Sequence, residues 1–199
     1  MPRKFLLPCL LLAVLFSACA TDSSTTIASS PAHSTAAGPV LTPEKLTTRN
    51  NAASLLFQLV EEEKNVSFLL VVKGNRPDVA ILVKTIAATA DLASLNLLDL
   101  AKADPSLNLH AVDLPAGEIA ARAAIAKFKT HQLLLSGGDN FEFALLLSQS
   151  EALSYGYNLA QTAADNSSDP VQKKTFATLA DTMKTQYQQG IAFIRAPAK

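Results

Sequence analysis

The chain has 199 residues, with 17 basic and 17 acidic side chains, seven glycines and no tryptophan. Hydrophobic residues make up 49% and charged residues 17%, a balance that excludes a disordered chain and fits one globular domain. The many Ala and Leu residues favour helix over sheet, and without a basic stripe nucleic acid is not expected as a partner.

Arg3 and Lys4 give a short positive start, and Phe5 to Phe16 follows as an apolar stretch of 12 residues broken only by Pro8 and Cys9. A bilayer span needs about 20 residues, so this stretch is too short to cross and has the size of a signal-peptide core. Phe16-Ser17-Ala18-Cys19 resembles the bacterial lipobox, in which small residues precede the cysteine that receives diacylglycerol. Phe16 stands where that motif usually has Leu, and the alternative is an ordinary cleaved signal with Cys19 incidental. The resemblance implies a lipoprotein precursor: residues 1–18 are removed, Cys19 is lipidated, and the protein meets the membrane through that lipid. Ala20 follows Cys19 where an Asp would favour the inner membrane, which implies an outer-membrane anchor facing the periplasm. Processing would remove Cys9 and acylate Cys19, leaving no free thiol, disulfide or thiolate metal site. Residues 19–41 are expected to be the lipidated cysteine and a flexible tether. Thr21 to Val40 is rich in Ser, Thr, Ala and Pro, with Asp22 its only charge. About 22 such residues reach roughly 25 Å.

Residues 42–196 are expected to form an all-α domain. Thr42-Pro43-Glu44 orders an N-cap, a first-turn Pro and an acidic first turn. The first helix is expected to run to about Lys73, where Gly74 stops it. The second restarts at Pro77, with Asn75 or Arg76 at the cap, and ends at Asp104-Pro105. Its stripe is Val79, Leu82, Val83, Ile86, Ala90, Ala93, Leu97 and Leu100. Residues 104–138 begin extended, with Leu107, Leu109, Val112 and Leu114 nearly alternating, and continue as a shorter helix from about Gly117 to Leu135. The spacing of Asp139 and Glu142 predicts a capping box starting a helix that lasts to about Asp165. Its core stripe is Phe141, Leu145, Ser148, Ala152, Tyr155 and Leu159. A second apolar face (Phe143, Leu146, Leu153, Tyr157) needs a cover, for which residues 104–138 are the candidate. Ser168-Asp169-Pro170 starts the last helix, with Phe176, Leu179, Met183, Tyr187, Ile191 and Ile194 as its stripe.

Four long helices and a crossover predict an antiparallel four-helix bundle: two hairpins joined by a long connection that contains a short fifth helix. This arrangement resembles the ferritin-like fold, and it is similar to exported bacterial ferritin-like proteins that lack the usual metal ligands. A simple up-down bundle with an extra helix is the alternative; a solenoid is disfavoured because no repeated unit is found.

A ferritin-like di-iron site needs Glu-x-x-His pairs one turn apart on facing helices. The chain contains none, and its histidines are His33, His110 and His131. No catalytic, cofactor or metal residues are therefore expected. Glu61, Glu62 and Glu63 point about 100° apart on a helix, so they cannot chelate one ion together. Glu61 and Glu62 fit a solvated face, whereas Glu63 falls inside the stripe of Ala52, Leu56, Leu59, Val60, Val66 and Leu70. It is either a carboxylate with metal- or proton-handling chemistry or a structural Glu paired with a cation or a tyrosine. Tyr155 and Tyr187 lie on core stripes and are the candidate buried polar partners. Glu151 and Tyr155, one turn apart, suggest a structural hydrogen bond. Gly137-Gly138 reads as a turn. The expected function is that of a membrane-anchored, non-catalytic envelope lipoprotein that binds a protein partner or supports envelope assembly. The alternative is a ferritin-like module that handles a ligand or metal.

Overall fold

The computed structural model of this chain describes residues 41–72, 76–110 and 114–196. The signal peptide, Cys19, the tether up to Val40, the expected helix stop at Lys73 and Gly74, Asn75 and Val112 lie outside them. All regular structure among the described residues is helical.

The first helix, α1, spans Pro43–Glu63. Thr42 caps it by accepting from the Lys45 N–H at 3.4 Å, with Pro43 and Glu44 in the first turn. The expected run to Lys73 is broken after Glu63. The Asn65 N–H bonds the Glu62 carbonyl at 3.3 Å, while its side-chain amide takes the Glu61 carbonyl at 3.4 Å. That competition from a short polar side chain ends the α-helical ladder. The chain continues as a 3₁₀ turn, Val66–Phe68, and a four-residue helix α2, Leu69–Val72.

Helix α3 spans Pro77–Ala103 and buries every residue of its expected stripe. The Arg76 N–H at its start donates to Glu142 Oε2 (3.1 Å), and the Arg76 Nε donates to Oε1 of the same carboxylate (2.7 Å). Helix α4 spans Ala116–Leu135, α5 Gly138–Asp165 and α6 Pro170–Arg195. The expected Asp139–Glu142 capping box does not form, because Glu142 is committed to Arg76; Gly137 caps α5 without a side-chain bond. Gly138 has φ of 54°, a backbone conformation that a side chain would strain. Asp169 caps α6 by accepting from the Gln172 N–H at 2.8 Å.

Helices α5 and α6 form the most extensively packed pair, and α1 packs on both α3 and α5. A Cβ built on Gly156 would touch Met183, and one on Gly190 would touch Ser150, so α5 and α6 run antiparallel. Arg49 meets Asp104 and Glu61 meets Ser94, so α1 and α3 are also antiparallel. Leu56, Val60, Val79, Val83, Leu97, Leu145 and Phe176 are fully enclosed between these helices. Leu107 and Leu109 are buried too, but beside α1: the Ser54 hydroxyl donates to the Asn108 carbonyl at 2.8 Å, and the Phe57 ring meets His110 edge-on. The extended part of the connection therefore lies along α1. On the second face of α5, Leu146 and Leu153 are buried, Tyr157 is half-buried and Phe143 is exposed.

Candidate functional site

Glu63 sits at the last position of α1, on the stripe of Ala52, Leu56 and Val60. The residue as a whole is half-buried. The Oε2 atom, in contrast, is buried with no protein hydrogen-bond partner. The surroundings of the carboxyl govern its chemistry. Burial pushes its pKa up from 4.5 to about 7, a hydrogen bond from the Gln149 amide on α5 opposes this, Glu62 adds to it and Lys129 opposes it. The same region holds a small, partly open cavity of about 10 Å³ lined by Glu63, Leu59, Ile86, Leu153, Met183 and Gln186. Gln186 on α6 donates to the Thr89 hydroxyl on α3 at 2.8 Å. The Gln149 Oε1, Gln186 Oε1 and Ser150 Oγ atoms are buried without protein partners, like Glu63 Oε2. Each of the four long helices thus contributes a polar residue (Glu63, Thr89, Gln149 or Gln186) to the interior.

The neighbouring acids stand apart from this group. Glu61 accepts from Lys64 at 2.8 Å and from the Ser94 hydroxyl at 2.5 Å, and these bonds hold its pKa below the usual value. Glu62 is exposed, although crowding by neighbouring atoms raises its pKa. With one interior carboxylate and two amides, the cluster can hold or release a proton, but it offers no second carboxylate for paired acid and base work. Among the described residues no group of three or more His, Cys, Asp or Glu converges.

Of the proposed tyrosine partners, Tyr155 is engaged elsewhere. The Tyr155 hydroxyl accepts from Arg122 on α4 at 2.6 Å, and the guanidinium also lies 5.0 Å from its ring centre. Glu151 pairs with Lys129 on α4 rather than with Tyr155. Tyr187 is half-buried against the core. The buried face of α6 runs through Phe176, Ala180, Met183, Gln186 and Gly190, one position away from the stripe drawn through Leu179 and Tyr187. His131 is exposed.

A second polar cluster was not anticipated from the sequence. Arg49 is only 2% exposed. Its guanidinium donates to Asp104 Oδ2 (3.1 Å), Gln172 Oε1 (3.2 Å) and the Ser106 hydroxyl (3.0 Å). The Gln172 amide donates to Asp104 Oδ2 at 2.8 Å. Burial pushes the Asp104 carboxyl up, but bonds from Ser106 and Gln172 and the Arg49 charge outweigh it and hold its pKa below the usual range. The signal was present: Arg49 lies one turn before Ala52 and Ala53 on the same stripe. None of the buried polar atoms of this cluster lacks a protein partner, which marks a structural clamp.

Helix α4 is the third feature. Arg122, Lys129 and Leu133 face α5 through the contacts above and through burial of Leu133. The opposite face carries Ala121, Ala124, Ile125, Phe128 and Leu135, all exposed, with Phe128 at 67% and Leu135 at 73%. Arg122 and Lys129 thus point toward α5 beside Leu133, while a run of apolar residues is left facing outward.

Comparison with known proteins finds no family model, no curated protein and no solved structure that matches this chain.

Proposed function

We propose that this is a lipid-anchored envelope protein whose helical domain acts by docking to other components, not by catalysis. The observation that carries this reading is the run from Arg3 to Cys19: a positive start, a short apolar core and Phe16-Ser17-Ala18-Cys19, followed by a nearly uncharged tether. The anchor is expected on the outer membrane, facing the periplasm. The outward apolar face of α4 supports a docking role, since such faces mark interaction sites. The four long helices fit a four-helix bundle of two hairpins joined by a crossover, similar to the ferritin-like fold. The direction of α5 supports that topology. Glu63 and Leu59 of α1 meet Gln149 and Gly156 of α5, so α5 runs antiparallel to α1, as α3 does, and parallel helices need a connection that travels their length.

The test is metabolic labelling with palmitate and membrane fractionation of wild type and Cys19→Ser. The expected result is a labelled, membrane-bound wild type and an unlabelled variant that is released or left unprocessed. Label that persists in Cys19→Ser overturns the anchor. The buried Glu63 carboxylate favours one second reading, a ligand- or metal-handling module, which near-stoichiometric metal surviving gel filtration would establish.

A further inference from the structure

We propose that the small cavity beside Glu63 is a hydration site, which holds one water molecule between the carboxyl of α1 and the Gln186 amide of α6. Four buried oxygens on three helices have no protein partner: Glu63 Oε2, Gln149 Oε1, Ser150 Oγ and Gln186 Oε1. The last three belong to side chains only 3–4% exposed. Buried polar atoms are so seldom left unmatched that each of these calls for a partner. Glu63 and Gln186 line the same cavity, whose volume of about 10 Å³ is the space of one water. The surface now facing that space is apolar. A small turn about the terminal torsions of the two side chains, which are soft, brings their oxygens to it. Two such acceptors meet the minimum that holds a buried water.

The donor set selects water over an ion. The Gln186 amide donates to Thr89 at 2.8 Å, which leaves its Oε1 to accept. The Gln149 amide bonds the Glu63 carboxyl, which leaves Oε2 to accept. The occupant must therefore bring hydrogens or positive charge. A hard cation gathers about six or more oxygens, whereas the rest of this lining is Leu59, Ile86, Ala90, Leu153 and Met183. With its pKa near 7, Glu63 is present in both protonation states around neutrality. A cation suits the carboxylate alone, while water donates to the carboxylate and accepts from the acid.

The site has a structural consequence. Helices α1 and α6 are tied directly where Arg49 meets Gln172, near the start of both. A water between Glu63 and Gln186 ties the same two helices again, at the last residue of α1. This inference does not depend on the anchor at Cys19, so the two can fail separately.

The experiment uses the chain beginning at Ala20, which keeps all of the compact unit 37–199, and measures magnetisation transfer from water to side-chain methyl protons by NMR. A water held for longer than about a nanosecond gives a nuclear Overhauser effect opposite in sign to that of a passing surface water. The bound sign is expected at Leu59, Ile86 and Met183 and not at Leu92, which is exposed on α3. Gln186→Leu should abolish it by removing an acceptor. Ala90→Val should abolish it by filling the cavity while leaving all four oxygens in place. Circular dichroism shows which variants are folded, and either folded variant decides alone. Three results overturn the proposal. One is a wild type without the bound-sign effect, which means a dry cavity. Another is a folded variant that keeps the effect. The third is loss of the effect when sodium or ammonium chloride replaces choline chloride at constant ionic strength, which would give the site to a cation.

Discussion

Glu63→Gln should change how stability depends on pH. The native carboxyl titrates at about 7 and an unfolded one near 4.5. Between those values the native state keeps a proton that the unfolded chain has released, so stability falls as pH rises through this window and levels off above it. The gap corresponds to on the order of 3 kcal/mol, or roughly 6–12 °C in melting temperature for a domain of this size. Glutamine keeps the shape and the Gln149 contact but cannot ionise. The variant should therefore match wild type near pH 4.5 and gain on it progressively, with the full difference above pH 7. Thermal unfolding at half-unit steps from pH 4.5 to 8.5 measures this. Taking the difference between the two proteins cancels the contribution of Asp104, which lies in the other polar cluster. Parallel profiles would show that bulk water reaches the Glu63 carboxyl and would refute the account of the interior.

At the other polar cluster, Asp104→Asn should cost about 3 kcal/mol, because it leaves the Arg49 charge enclosed without its counter-ion. Arg49→Leu should cost less, since Asp104 retains Ser106, Gln172 and access to solvent. The lowered pKa of Asp104 gives stability that is present above the ordinary carboxylate range and lost as pH falls through it, opposite in sign to Glu63. Urea unfolding checks both, and a cost below about 1 kcal/mol for Asp104→Asn would contradict the clamp. Gly156→Ala should destabilise by about 1–3 kcal/mol. Its Cβ would lie 2.7 Å from Met183 Sδ and 2.9 Å from Leu59 Cδ2. An exposed helical glycine would instead gain about 1 kcal/mol from the same change, so the sign of the melting shift decides.

Helix starts were legible wherever a proline and a capping side chain stood together, as at Thr42-Pro43 and Asp169-Pro170. The stripe of α3 was legible because its apolar residues are many and its polar ones leave the pattern clean. The end of α1 was not, because the decision falls to one asparagine whose amide competes for a carbonyl. The Asp139–Glu142 spacing misled for a long-range reason: Arg76, distant in sequence, takes the carboxylate. Glu63 stood out on its stripe, and Arg49 obeys the same spacing. A long basic side chain can usually carry its charge out to water, so its complete enclosure was not visible without Asp104 and Gln172 beside it. On α6, adjacent positions differ by about 100°, and the polar Gln186 and the side-chain-free Gly190 gave the apolar pattern little to hold on to.

The Arg49 clamp also determines how the domain bears load. A pull on the chain at Leu41 meets α1 along its own axis. Arg49, six residues into the helix that starts at Pro43, is tied crosswise to the C-terminal end of α3 and the first turn of α6. Tension entering there is shared among three helices within two turns, and the bonds must slide past one another together instead of opening singly. That end of the domain is thus braced across three helices, whereas the break at Lys64 and Asn65 lies at the far end of α1.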